Sequence, residues 1–140
     1  MENKEVKIRY LEMIQNVITR MASNSFLLKG WTVTIVVGLL AFANLDDMDS
    51  KYIFIALVPT LFFWILDGFF IHQEWLYIKL FEFAATLDES EVDFSMNANH
   101  FKEVTPNLFQ AFFSKTLMLF YIPITCIIIL AILSFPHLNI

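Results

Sequence analysis

The chain reads as an all-α membrane protein, expected to assemble into a homo-oligomeric bundle, and three observations point to the membrane class. Hydrophobic residues make up 58% of its 140 positions and the mean hydropathy is +0.63, against roughly 45–50% apolar in an ordinary soluble domain. Three apolar stretches are each long enough to cross the roughly 30 Å hydrocarbon layer as a helix. The charged residues collect mostly in the segments between and before them. Little chain is left for a separate soluble domain, so the expectation is a single membrane domain over residues 1–140.

Residues 4–22 predict an amphipathic helix. Leu11, Ile14, Ile18 and Met21 recur at spacings of three and four, and Tyr10 and Val17 widen that stripe. Glu5 and Arg9 form an i,i+4 pair on the polar side. Ser23-Asn24-Ser25 predicts a capping break before the next helix.

Residues 26–45 are the first span, with Lys29 and Trp31 marking one interface. Asp46-Asp47-Met48-Asp49-Ser50 is a short acidic turn. The second span starts near Tyr52, and helical spacing continues past Ile71 through Leu76, Leu80, Phe83 and Leu87. One helix over 51–87 would be about 55 Å long and project beyond the lipid; Pro59 is the place for a kink. Residues 88–105 are polar and acidic, a loop with room for a mobile element or a short helix. Thr105-Pro106 predicts a helix start, and residues 106–134 form the third span, with Lys115 near its beginning and Pro123 midway.

Basic residues set the expected topology. Lys4, Lys7, Arg9, Arg20, Lys29, Lys79, Lys102 and Lys115 lie on one side of the spans, and Lys51 alone lies on the other. Lysine and arginine favour the cytoplasm. The N-terminus is therefore expected on the cytoplasmic side and the C-terminus on the opposite side. The N-terminal helix and the extension of the second span then share the cytoplasmic side.

The chemically pointed residue is Asp67, the one charge among residues 52–71. A carboxylate in hydrocarbon costs a few kcal/mol, roughly 2.5–3.5 on insertion scales, so it demands a partner, a proton or water. Lys29 and Lys115 sit at similar depth in the other two spans. The simpler reading is a structural ion pair between helices. The sharper reading is a carboxylate facing a pore, where a ring of such groups favours cations. The hydroxyls of Thr32, Thr34, Thr60, Ser114, Thr116 and Thr125 are expected to bond within or between helices. Phe62, Phe63, Phe69 and Phe70 read as lipid-facing or core residues, with a hydrophobic gate as the alternative.

On the cytoplasmic side Lys4, Lys7, Arg9, Arg20 and Lys79 would ordinarily meet anionic lipid. Repeated around a symmetry axis, they become a basic ring that would hold a polyphosphate or short oligonucleotide, with Tyr10, Trp75 and Tyr77 available to stack on bases. The acids at 88, 89, 91 and 93 oppose this unless they point away, and the net charge of −5 argues against free nucleic-acid binding.

Enzyme signatures are missing. Gly30, Gly38 and Gly68 build no phosphate-cradling loop, His72, His100 and His137 are far apart, and the single Cys126 makes no zinc pattern. A non-enzyme with neither metal nor cofactor is expected.

The dozen residues Arg20-Met21-Ala22-Ser23-Asn24-Ser25-Phe26-Leu27-Leu28-Lys29-Gly30-Trp31 resemble the junction of amphipathic helix and first span in small bacterial multi-span proteins. Some of these are similar to effectors of nucleotide-signalling anti-phage systems, and the size and layout resemble the membrane effector of Hailong-type defence. The resemblance implies a homo-oligomeric channel, toxic when open, and would make its membrane the bacterial inner membrane, with the C-terminus in the periplasm. It also implies a partner nucleotidyltransferase whose DNA oligomer holds the channel shut until infection. No ligand-binding residue carries over from the resemblance. The expected subunit number is four. Two rivals stand beside this reading: an accessory or scaffolding subunit of a larger membrane complex, and a small proton-relaying transporter subunit using Asp67.

Overall fold

The computed structural model describes residues 2–43 and 52–134. The expected acidic turn at 46–50, Lys51 and the tail from Phe135 lie outside the described residues. Within them the chain is helical, without strands. Helix α1 runs Glu2–Ala43, α2 Tyr52–Ile55, α3 Leu57–Thr86, α4 Leu108–Phe112 and α5 Lys115–Ser134, with short 3-10 turns at Glu89–Glu91 and Ala98–Phe101. Three helical stretches are long and apolar enough to cross a membrane: Asn3–Ala43, Tyr52–Thr86 and Lys115–Ser134.

The expected break at Ser23–Ser25 does not form. Helix α1 continues through it for 42 residues, about 63 Å at 1.5 Å per residue. Short polar side chains end a helix when they capture its free N–H groups. Here the Ser25 hydroxyl is engaged instead by Asp67 and Lys29 on the buried side. Packing against α3 along the whole of α1 outweighs a weak local preference.

Helices α1 and α3 are antiparallel. At one end Lys7 of α1 reaches Ala85 and Leu87 at the close of α3; at the other, Val36 and Ala43 share a cluster with Ile53 and Ala56. The break expected at Pro59 is realised one turn earlier. Proline has no N–H to give the carbonyl four residues back, so α2 stops at Ile55. The Ala56 amide turns to Ile53 O at 3.0 Å, and the Thr60 hydroxyl takes Ala56 O at 2.7 Å.

The third span departs from expectation at its start. Thr105-Pro106 is not the helix cap. Asn107 is, in a reciprocal box with Gln110 (Gln110 N to Asn107 Oδ1 2.8 Å, Asn107 N to Gln110 Oε1 2.9 Å). Helix α4 lasts five residues and α5 begins afresh at Lys115. The short helix folds under α3 because Gly68 leaves room for the Phe112 ring, where a Cβ would collide, and because Trp64 Nε1 donates to Phe112 O at 2.9 Å.

Two apolar clusters flank the membrane segments, one of Val36, Ala43, Ile53, Ala56 and Ile128, the other of Ile71, Ala111, Leu117 and Tyr121. A third lies at the opposite end from Ala43: Tyr10, Ile14, Leu76, Leu80 and Ala84 close under Ala98. The polar loop is thus a strap. Its backbone is tied down by Tyr10 Oη to Ser95 O at 2.6 Å and Tyr77 Oη to Met96 O at 3.3 Å.

Candidate functional site

Ser25 and Lys29 are one helical turn apart, so they share a face of α1. That face meets Asp67 of α3, which is fully buried. Lys29 Nζ lies 2.6 Å from Asp67 Oδ2 and 2.7 Å from Ser25 Oγ. The Ser25 hydroxyl donates in turn to Asp67 Oδ1. From α5, Tyr121 Oη donates to Asp67 Oδ2 at 3.1 Å. One carboxylate therefore accepts from three helical side chains on two other helices, and the pair is neutral overall. The phenol is held in turn: Trp64 stacks on it, rings 5.6 Å apart and 3° from parallel, and Phe120 meets it edge-on at 4.9 Å.

This arrangement answers the demand that Asp67 made in the sequence. Its cationic partner is Lys29. Lys115 is exposed and makes no ion pair or hydrogen bond among the described residues. Ser25 and Tyr121 are members that sequence reasoning missed. Ser25 had a signal, its i,i+4 spacing to Lys29; Tyr121, a neutral aromatic in an apolar run, had none. With Asp67 closed to solvent and bonded on both oxygens, the site ties α1, α3 and α5 together.

The basic and aromatic ligand candidates are not gathered into one site. Lys7 Nζ binds the carbonyls of Ala85 at 2.9 Å and Leu87 at 2.7 Å, neutralising the end of α3 where carbonyls go unpaired. Lys79 pairs with Glu82 at 2.8 Å on the surface. Tyr10 is buried, its ring set edge-on to Phe94 at 5.6 Å, so it is closed to base stacking. Burial, and then the Asp93 carboxylate, push its phenol up, keeping it a donor to the strap. Lys4, Arg9 and Arg20 are exposed; Arg9 shares a shallow cleft with Glu5, Ile8 and Glu12. Of the five bases expected to meet an anion, those three are exposed and make no ion pair among the described residues.

The phenylalanine wall divides. Phe62 and Phe69 are exposed, while Phe63 packs against the Ile71–Tyr121 cluster. Thr32, Thr34, Thr60 and Thr125 each donate to the carbonyl four residues earlier, at 2.7–2.9 Å. No protein-family profile, curated protein or solved structure matches the chain.

Proposed function

We propose that the protein is a pore-forming membrane effector of bacterial anti-phage defence, active as a homo-oligomer of about four copies. The N-terminal part of α1 (residues 4–22) and the part of α3 past Ile71 (residues 72–86) form a stem that lies in the cytoplasm, and the C-terminus lies in the periplasm of an inner membrane. The observation that carries the assembly is the outer face of α1. Gly30, Thr34 and Gly38 fall at four-residue spacing on it, and a Cβ built on either glycine meets nothing within 4 Å. A groove of about 390 Å³ opens there between Phe26, Leu27, Trp31 and Thr34. Small residues left uncovered in a membrane helix let another helix approach closely. Three spans cannot enclose a pore, so conduction requires such copies.

In this reading the buried Lys29–Asp67 pair keeps each subunit rigid, and gating moves subunits against one another. The resemblance supplies the ligand class, a nucleotide or short DNA oligomer made by a partner nucleotidyltransferase. Lys4, Arg9 and Arg20 are the bases left free to meet it. A second reading, a non-conducting scaffold subunit, is favoured by the internal neutralisation of Asp67.

Planar-bilayer recording separates the two. Purified protein, shown by cross-linking to be oligomeric and by protease protection to be inserted, should give discrete conductance that added oligonucleotides change. Silence from such protein under every oligonucleotide tested favours the scaffold, and a strictly monomeric protein in bilayers overturns both the assembly and the pore.

A further inference from the structure

The strap does more than cover the stem core. It closes one side of a cleft of about 320 Å³ against α1 and α3, a volume at the lower end of small-molecule sites. Phe83 and Phe101 form its aromatic wall, buried Tyr10 lies at its floor, and Asp93, Asn97 and His100 form its polar rim. The rings of Phe83 and Phe101 pack against each other at 51°, with centroids 5.7 Å apart, and both line the cleft.

The charge of this cleft is one-sided. Asp93 uses Oδ1 to accept from the Ser95 amide at 2.9 Å, which fixes the carboxylate and leaves Oδ2 without a hydrogen bond among the described residues. The neighbouring acids Asp88, Glu89 and Glu91 lie on the same strap. Helix α3 ends close by, and its last carbonyls already hold one ammonium, that of Lys7. No lysine or arginine lines the cleft. Phosphates and other anions are repelled here; a cation is favoured by the acid and by the ring faces together. The strap is also held in an uncommon backbone form. Phe94, beside Asp93, has φ of 56°, the left-handed region that costs a bulky residue about 1–2 kcal/mol. Such strain persists where the surroundings over-determine a conformation, and here it seats Phe94 on Tyr10 while turning Asp93 to the cleft rim.

We propose that this cleft is a binding site for a small soluble organic cation, an ammonium bearing an apolar group, with Asp93 as counter-ion and Phe83 and Phe101 as its cage. The site lies on the stem, roughly 20 Å along α3 from Asp67, so a free amine reaches it and a lipid headgroup does not. The inference is independent of conduction and of any oligonucleotide ligand.

The test is isothermal titration of the full-length protein in a maltoside detergent with choline. Its uncharged isostere, 3,3-dimethylbutan-1-ol, is the control, at matched ionic strength. Choline should bind and the isostere should bind about fivefold more weakly or not at all, since the cation–ring and carboxylate attractions need the charge. Asp93→Asn and, separately, Phe101→Leu should each weaken choline by about fivefold, with unchanged circular dichroism showing that the fold persists. Absence of choline binding, equal binding of the isostere, or wild-type affinity in both variants would overturn the site.

Discussion

The two ends of the α1–α3 pair are joined by different physics. In the membrane segment the contact turns on a single polar node, where Ser25, Lys29 and Tyr121 converge on Asp67. In the stem the same two helices meet through Tyr10, Ile14, Leu76, Leu80 and Ala84, with the strap laid over them. The difference follows from the solvent. In water, burying apolar area drives helices together at roughly 25 cal/mol per Å², so a greasy stripe suffices outside the bilayer. Inside it, lipid is as apolar as leucine and gives no such preference. Directional bonds that would otherwise go unmet then choose the partner and the register.

The comparison is broken most severely at the node. Asp67→Asn leaves the Lys29 ammonium without its counter-charge in a site where its side chain is only 16% exposed. Losing one member of a buried pair costs about 3–5 kcal/mol, and thermal unfolding in detergent should show a loss of that order. In the stem, Leu80→Ala removes a side chain that is 3% exposed and should cost about 2–5 kcal/mol through lost burial and the cavity left behind. The two variants should differ in environment: extraction into a harsher detergent should aggravate the node variant more, and added salt should affect the stem variant little.

Smaller changes sharpen the contrast. Tyr10→Phe keeps the ring in the stem core but removes the bond to Ser95 O, a loss of about 1 kcal/mol. It should raise protease cleavage within residues 88–105 before it affects global unfolding. Lys79→Ala removes a pair whose two side chains are 40% and 58% exposed, and its effect on the unfolding midpoint should stay within about 0.5 kcal/mol. A larger loss would mean that Lys79 faces another copy of the chain.

Much of this was legible in the residues. Apolar length marked three helices able to cross a membrane, and uninterrupted spacing past Ile71 marked the continuation of α3, because both signals run over many residues and survive local exceptions. Asp67 announced that a partner was needed, and depth narrowed the choice to Lys29 or Lys115. What the sequence could not settle was rotation about the helix axes. Lys29 and Lys115 are equivalent in composition and depth; only the packing of α3, with Phe112 seated on Gly68, turns Asp67 toward α1. The misplaced boundaries have different causes, though each signal is worth only about 1 kcal/mol. At Thr105–Pro106 a second local signal, the Asn107–Gln110 box, takes the helix start; at Ser23–Ser25 the tertiary contacts of Ser25 with Asp67 and Lys29 outweigh the cap. The same limit hid the fate of Lys7 and Tyr10. Both look free on an amphipathic helix, and both are occupied by groups some eighty residues away.

The most direct measurement is a double-mutant cycle on the full-length protein, with stability read by unfolding in detergent for Asp67→Asn, Lys29→Met and the two combined. A pair that closes within one chain predicts a double variant more stable than the sum of the single losses, with a coupling above about 1 kcal/mol. A parallel cycle with Lys115→Met should show none. Additive losses at Lys29, or coupling at Lys115 instead, would contradict the account of how these three helices are held together.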